Sequence, residues 1–155
     1  MAMKINAGTP GWHQRHVELY LKSDGAEGHV LDFGRPGVPE VNCLLLQTTG
    51  RKSRTQKTTP LIYGKDGGGF VVVASSGGAP NHPAWFLNLR DAPEVRFQVV
   101  DKKYRGVARI TAGAERDRLF RMMAGLFPSY DDYQAKTARE IPVVVLEPKG
   151  EVERL

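Results

Sequence analysis

A chain of 155 residues, 41% hydrophobic and 25% charged, is long enough to bury a core without cross-links and too apolar to be disordered. Its apolar runs, such as 71–74 and 143–146, fall far short of the roughly 18 residues of a membrane span, and the first eight residues hold no signal-like apolar region. Twenty-two Lys and Arg against 17 Asp and Glu leave a net charge of +5 and an isoelectric point near 9.5, which favours an anionic partner.

Pro10 after Thr9 reads as a first helical residue behind its N-cap, and residues 11–22 put Trp12, His16, Leu19 and Tyr20 on one broad face. Residues 23–40, rich in Gly and Pro, read as a long loop. Extended runs follow at 42–49, 58–63 and 70–75, the last two joined through Lys65-Asp66-Gly67-Gly68, a hairpin signal. Pro60 demotes the second run to an edge or bulged strand. The pattern turns helical over 83–89, then gives a second hairpin, 95–100 and 104–110, across Asp101-Lys102-Lys103. Residues 114–127 have helical spacing, with Leu119, Met122, Met123 and Leu126 on one side. A further helical piece at 131–139 follows the break at Pro128, and 143–146 forms a last apolar strand. Six strands linked mostly as hairpins, with short helices, predict an α+β fold around an antiparallel sheet or small barrel. No repeat or linker divides it.

Arg51, Lys52, Arg54 and Lys57 gather four cations without an acid, so a local anion site is expected rather than a nucleic-acid face, where cations spread along a stripe. Residues 48–57 add hydroxyls and Gly50, a composition that suits phosphate as well as a solvated hairpin tip. Gly50-Arg51-Lys52-Ser53 is not a Walker loop, because the upstream glycine and the following helix are missing. The small residues of Ser75-Ser76-Gly77-Gly78-Ala79-Pro80 permit close approach of a flat ligand, or serve only as a strand-to-helix connection. His13 and His16 are spaced as a ligand pair, but no third ligand accompanies them and no metal is expected. His82 either meets a ligand or caps a helix. Cys43 reads as an inert buried thiol, and a lone cysteine fits a reducing cytoplasm. Ser75 and Ser76 have no announced base, so hydrolase chemistry is discounted. Phe127, Tyr130 and Tyr133 form either an aromatic wall for a planar substrate or a packed helix corner.

Thr-Thr-Gly-Arg-Lys-Ser (48–53), Thr59-Pro60-Leu61, Val-Val-Val-Ala-Ser (71–75) and Gly77-Gly78-Ala79-Pro80 occur in that order. His-Pro-Ala-Trp-Phe-Leu-Asn-Leu (82–89), Pro93-Glu94-Val95 and Tyr130-Asp131-Asp132-Tyr133 complete the set. In this combination, over about 10–148, the chain resembles the deazaflavin-dependent nitroreductases and quinone reductases of actinobacteria, which use coenzyme F420. The resemblance implies a split β-barrel of the flavin-reductase type, with about six mostly antiparallel strands and flanking helices. It implies a single deazaflavin-binding domain over 1–155, of which 1–40 are N-terminal helix and loop. It also accounts for the charge, since the cofactor carries a phosphodiester and an oligoglutamate tail. By the same analogy Arg51, Lys52, Ser53 and Lys57 hold the phosphate and tail, and Thr58, Thr59, Pro60, Leu61 and Ile62 line the deazaflavin. Ser75 and Ser76 lie across from them, and Ala84, Trp85 and Asn88 close the site. Tyr130 and Tyr133 are the implied catalytic residues, and with Phe127 they form the acceptor side.

Lys57 stands where several members carry Arg, a point charge in place of a bidentate contact. Ile62 and Phe127 replace aromatics of a nitroimidazole-reducing member, which bears on nitroimidazole reduction and little on cofactor use. The implied reaction is hydride transfer from reduced F420 to a small planar acceptor, a quinone or nitro compound, in the cytoplasm. No nucleic acid, metal or membrane span takes part, peripheral membrane contact stays open, and the motifs do not encode an oligomeric state. An FMN-dependent oxidoreductase on the same barrel and a non-enzymatic carrier of the deazaflavin are the alternatives.

Overall fold

The computed structural model describes residues 2–4 and 10–155. A nine-stranded, mostly antiparallel sheet is built from β1 (Met3–Lys4), β2 (Val30–Asp32), β3 (Val41–Thr49), β4 (Gln56–Ile62), β5 (Gly64–Asp66), β6 (Gly69–Val73), β7 (Glu94–Val99), β8 (Lys102–Ile110) and β9 (Val143–Glu151). Its order is β1-β2-β3-β7-β8-β9-β6-β5, with β4 on the other side of β3 and β1–β2 as the parallel pair. Four helices attach to it: α1 (Trp12–Ser23), α2 (Ala84–Asp91), α3 (Gly113–Leu126) and α4 (Ser129–Lys136). Among the described residues no helix is long and apolar enough to cross a membrane.

The central strands are apolar on both sides because both faces are covered. Leu44, Leu46, Phe70, Val72, Phe97, Val144 and Leu146 meet one another and Trp85, Phe86 and Leu89 of α2. Their neighbours Cys43, Val71, Val73, Val143 and Val145 turn the other way, onto Leu119, Phe120 and Met123 of α3 and Tyr130 of α4. Burial on two faces converts alternating pattern into the continuous runs visible at 71–74 and 143–146.

Several expectations need correction. Thr9 lies outside the described residues, and α1 begins at Trp12 rather than beside Pro10, with Gly11 at φ 76 ahead of it. Nine strands replace six. The loop over 23–40 contains β2, three residues too short to show a period. The extended run at 58–63 ends at a bend: β4 stops at Ile62, and β5 makes the hairpin with β6 around Gly67-Gly68. Pro60 fits because, among the described residues, β4 pairs only with β3 and its other edge has no ladder partners. Leu126 is 46% exposed and is not part of the buried side of α3.

Helix α1 is tied to the sheet through one hydroxyl. Tyr20, fully buried, donates to the carbonyl oxygen of Cys43 (3.0 Å) and accepts from the backbone N–H of Val100 (2.8 Å). That bond helps hold a β-branched residue at φ 56 in the β7–β8 turn, an uncommon conformation. Gly25 is required beside it, since a Cβ there would lie 2.4 Å from Val100 Cα.

Candidate active site

Two adjoining cavities open where β4, the connection after β6, and α1, α2 and α4 meet. The first, about 320 Å³, is lined by Thr59, Pro60, Leu61 and Ile62 of β4, by Ser75, Ser76 and Gly77, and by Trp85, Phe127, Tyr130 and Tyr133. Trp12, His13 and His16 of α1, with Leu31, Phe33 and Cys43, complete it. Among the described residues no Asp, Glu, Lys or Arg lines it. The second, about 450 Å³, is lined by Gly50, Arg51, Lys52, Ser53, Lys57, Thr58, Thr59, Ala84, Trp85 and Asn88. It has three cations and no acid. Thr59 and Trp85 belong to both, so the apolar and the cationic chamber are two parts of one groove. A larger cavity of about 830 Å³ runs past Gln47, Arg96, Arg105 and Lys149. It has no aromatic lining; of the motifs quoted above it contains Thr49, Pro93, Glu94 and Val95, but none of the expected site residues.

All the expected site residues therefore line this groove, and Asn88 and Ser53 also make hydrogen bonds within the protein. Asn88 is buried, and its amide is spent on the protein. It donates to Thr48 Oγ1 (3.2 Å) and accepts from the backbone N–H (3.2 Å) and guanidinium (3.4 Å) of Arg51. Its part is to fix the cationic loop. Ser53 is exposed, and its hydroxyl is shared with Thr55 Oγ1 at 2.8 Å. A Cβ at Gly50 would displace the Ser53 hydroxyl and lie 3.2 Å from the Thr55 carbonyl oxygen, so a side chain there would disturb this loop. The loop closes through Gly50 N–H to Thr55 O and Arg54 N–H to Gly50 O, both 2.8 Å, with Arg54 at φ 60. Among the described residues none of Arg51, Lys52, Arg54 and Lys57 makes an ion pair, so their charge is uncompensated.

The aromatic segment is both wall and core. Phe127 and Tyr130 are 3% and 4% exposed, with rings 5.1 Å apart and edge to face, while Tyr133 is half-buried 6.3 Å from each. Burial raises the Tyr130 phenol well above its ordinary range, so it is a donor and not a phenolate. The glycine loop packs directly on this segment. Gly78, at φ 79, lies where a Cβ would come within 2.8 Å of the Tyr133 carbonyl oxygen.

Residues not anticipated include Trp12, Leu31 and Phe33, which reach the cavity through packing between distant segments, and Arg139. The half-buried Arg139 donates to the carbonyl oxygens of Ala74 (3.1 Å), Ser75 (2.8 Å) and Ala79 (2.8 Å), fixing the ends of the connection that carries Ser75 and Ser76. Its charge, after burial, holds the adjacent His82 below the ordinary histidine range. Cys43 lines the cavity as a thiol that burial pushes up to about 12.

The family model for F420H(2)-dependent quinone reductase matches residues 12–148. An F420H(2)-dependent quinone reductase of Mycobacterium tuberculosis (strain H37Rv) is 36% identical over 147 residues, covering 87% of this chain and 95% of the relative. A solved F420-H2 dependent reductase, FDR-A, is 38% identical with a TM-score of 0.63, covering 68% of this chain and 93% of its own. A structure described as a domain-swapped dimer is 36% identical with a TM-score of 0.65, covering 86% and 96%. The chain belongs to the F420H(2)-dependent quinone reductase family.

Proposed function

We propose that the groove holds reduced F420 with its ring in the apolar chamber and its anionic arm in the cationic one, and that a quinone or another small planar acceptor stacks beside the ring. As a member of its family the protein is an oxidoreductase that uses F420. The observation that carries the placement is the division of one groove at Thr59 and Trp85 into an uncharged half and a half with three cations and no acid. When bound, the deazaflavin supplies two electrons as hydride; the chain supplies orientation, charge and dryness. Arg51, Lys52 and Lys57 bind negative charge, and Thr59 to Ile62 present a flat β4 surface in which Pro60 has no N–H. Tyr130 and Tyr133 offer hydroxyl donors to an acceptor oxygen as charge develops on it, and Phe127 offers only a face.

FMN, the alternative cofactor, has little support beside a family named for F420. Nitro compounds fit the same wall by shape and belong to this reading as second acceptors. The strands β3, β6, β7, β8 and β9 turn one set of side chains into a common cluster, which supports a split barrel with α2 over one end. We place the reductase in the cytoplasm on the unpaired, buried Cys43.

The test is a titration with F420 followed by turnover with menadione. Lys52→Ala and Lys57→Ala each raise the cofactor Kd by about tenfold or more, one charge-assisted contact, and leave kcat at saturation nearly unchanged. A fall in kcat at saturating cofactor with an unchanged Kd would remove the tail from this loop.

A further inference from the structure

His16 lies on the α1 wall of the apolar chamber and is 1% exposed. Its Nε2 stands 2.7 Å from the carbonyl oxygen of Gly28. A carbonyl only accepts, so Nε2 carries the hydrogen, and Nδ1 is left as a bare acceptor. Gly28 is shaped for this contact: it sits at φ 102, and a Cβ there would come within 3.0 Å of His16 Cδ2 and 3.3 Å of Nε2. The Cδ2–Nε2 edge is thus pressed against glycine backbone, and the Nδ1–Cε1 edge is turned away from it. Nδ1 is buried and has no hydrogen-bond partner among the described residues. Burial lowers the imidazole pKa, which keeps the ring neutral and its acceptor intact. Buried acceptors without a donor are rare in folded proteins, because each costs free energy until something donates to it.

We propose that His16 Nδ1 accepts a hydrogen bond from an O–H or N–H group on the planar molecule that fills this chamber. The inference rests on the placement of a ring there and adds a specificity element to it. With its tautomer fixed by Gly28, His16 distinguishes a ring that bears a donor from one that bears only acceptors, and so a quinol from its quinone. The donor belongs either to the acceptor molecule in its reduced form or to a ring N–H of the deazaflavin, and the two sources separate by experiment.

The probes are 1-naphthol and 1-methoxynaphthalene, equal in ring and differing in the donor. They are titrated into the wild type, His16→Gln and His16→Phe, with and without saturating oxidised F420. His16→Gln keeps an amide N–H for Gly28 while removing the acceptor at Nδ1, so it stays folded if His16→Phe does not. The preference for the naphthol over its ether falls about fivefold from the wild type to either variant, the worth of one ordinary hydrogen bond. If that drop persists with F420 bound, the donor is the acceptor molecule's hydroxyl. If F420 removes it and His16→Gln weakens F420 itself about fivefold, the donor is the cofactor's N–H. Equal preference in all three proteins, together with unchanged F420 affinity, overturns the assignment, as does a wild type that binds no naphthol. Ser76→Trp, which fills the chamber, separates this from the broader reading. Naphthol binding that survives Ser76→Trp puts the ring elsewhere and overturns both, whereas binding that is lost leaves only the role of His16 at issue.

Discussion

Asn88 offers the sharpest test of how the cationic loop is held. Asn88→Leu keeps the number and branching of side-chain heavy atoms, with bulkier methyl ends, and deletes three hydrogen bonds, one to Thr48 and two from Arg51. The Thr48 hydroxyl, in a residue 1% exposed, then has no partner, and the Arg51 N–H loses its acceptor in a half-buried place. A stranded buried polar group costs about 1–3 kcal/mol, and the half-buried Arg51 N–H stands at the low end, so the two together should destabilise by about 2–4 kcal/mol. In a domain of this size that corresponds to a fall of roughly 5–10 °C in Tm. The freed loop must also be ordered on binding, which raises the F420 Kd by about tenfold through the entropy of fixing its side chains. Thr48→Val is the control. It strands the Asn88 amide and lowers Tm, but Arg51 stays anchored and F420 affinity holds. Calorimetry and F420 titration of the two variants decide the matter. An Asn88→Leu protein with wild-type Tm and Kd would refute the anchoring role, and equal losses of affinity in both would mean that the loop senses only global stability.

Three further outcomes follow from the site. Tyr130→Phe should lower kcat/KM with menadione by no more than about 10²–10³, the limit for one polarising donor, while F420 affinity stays the same; a lower Tm with unchanged kinetics would leave Tyr130 a packing residue. Ser76→Trp, at an exposed position at φ 46, should block F420 binding in a protein whose circular dichroism is that of the wild type, and normal affinity would move the ring pocket elsewhere. Burial holds the pKa of His13, His16 and His29 below the ordinary 6.5, so between those values and 6.5 the unfolded chain binds more protons than the folded one. Stability is therefore complete above about pH 6.5 and declines on acidification, and a urea midpoint that is flat or rises from pH 7 to pH 5 would contradict it.

What was legible in the sequence is what depends on neighbours along the chain. The cation loop, the small residues after Val73 and the aromatic run at 127–133 each announce themselves within ten residues, and each lines the groove. The α1 wall was not legible in the same way. Trp12, His13 and His16 reach the cavity on a helix that Tyr20 pins to Cys43 and to the β7–β8 turn, contacts that span 23 and 80 positions. Arg139 is hidden for the same reason, since its carbonyl partners lie 60 to 65 residues away. The aromatic run shows a different limit. Spacing offered a wall or a helix corner, and Phe127 and Tyr130 are both at once, buried in the core cluster while bordering the cavity.

The register of one strand pair explains how a single groove acquires two chemistries. β4 runs antiparallel to β3 from Gln56 opposite Thr49 to Ile62 opposite Cys43. Its first residues stand beside the loop of Arg51 and Lys52, and its last beside the apolar thiol and the aromatic wall. Composition therefore changes from cationic to uncharged along one strand, and from Lys57 to Ile62 this takes about 16 Å at the rise of an extended chain. A ligand lying along β4 is oriented by that gradient alone: its flat, uncharged end is excluded from the lysines by desolvation, and its anionic end from the apolar chamber. Trp85 and Thr59 mark the crossing point. A single terminal phosphate would engage the near cations and leave the rest of the loop uncompensated. In the placement proposed above, a phosphodiester extended by carboxylates would meet Lys57, Lys52 and Arg51 in turn, and that match of charge to length is the physical ground of our proposal for F420 over FMN in this groove.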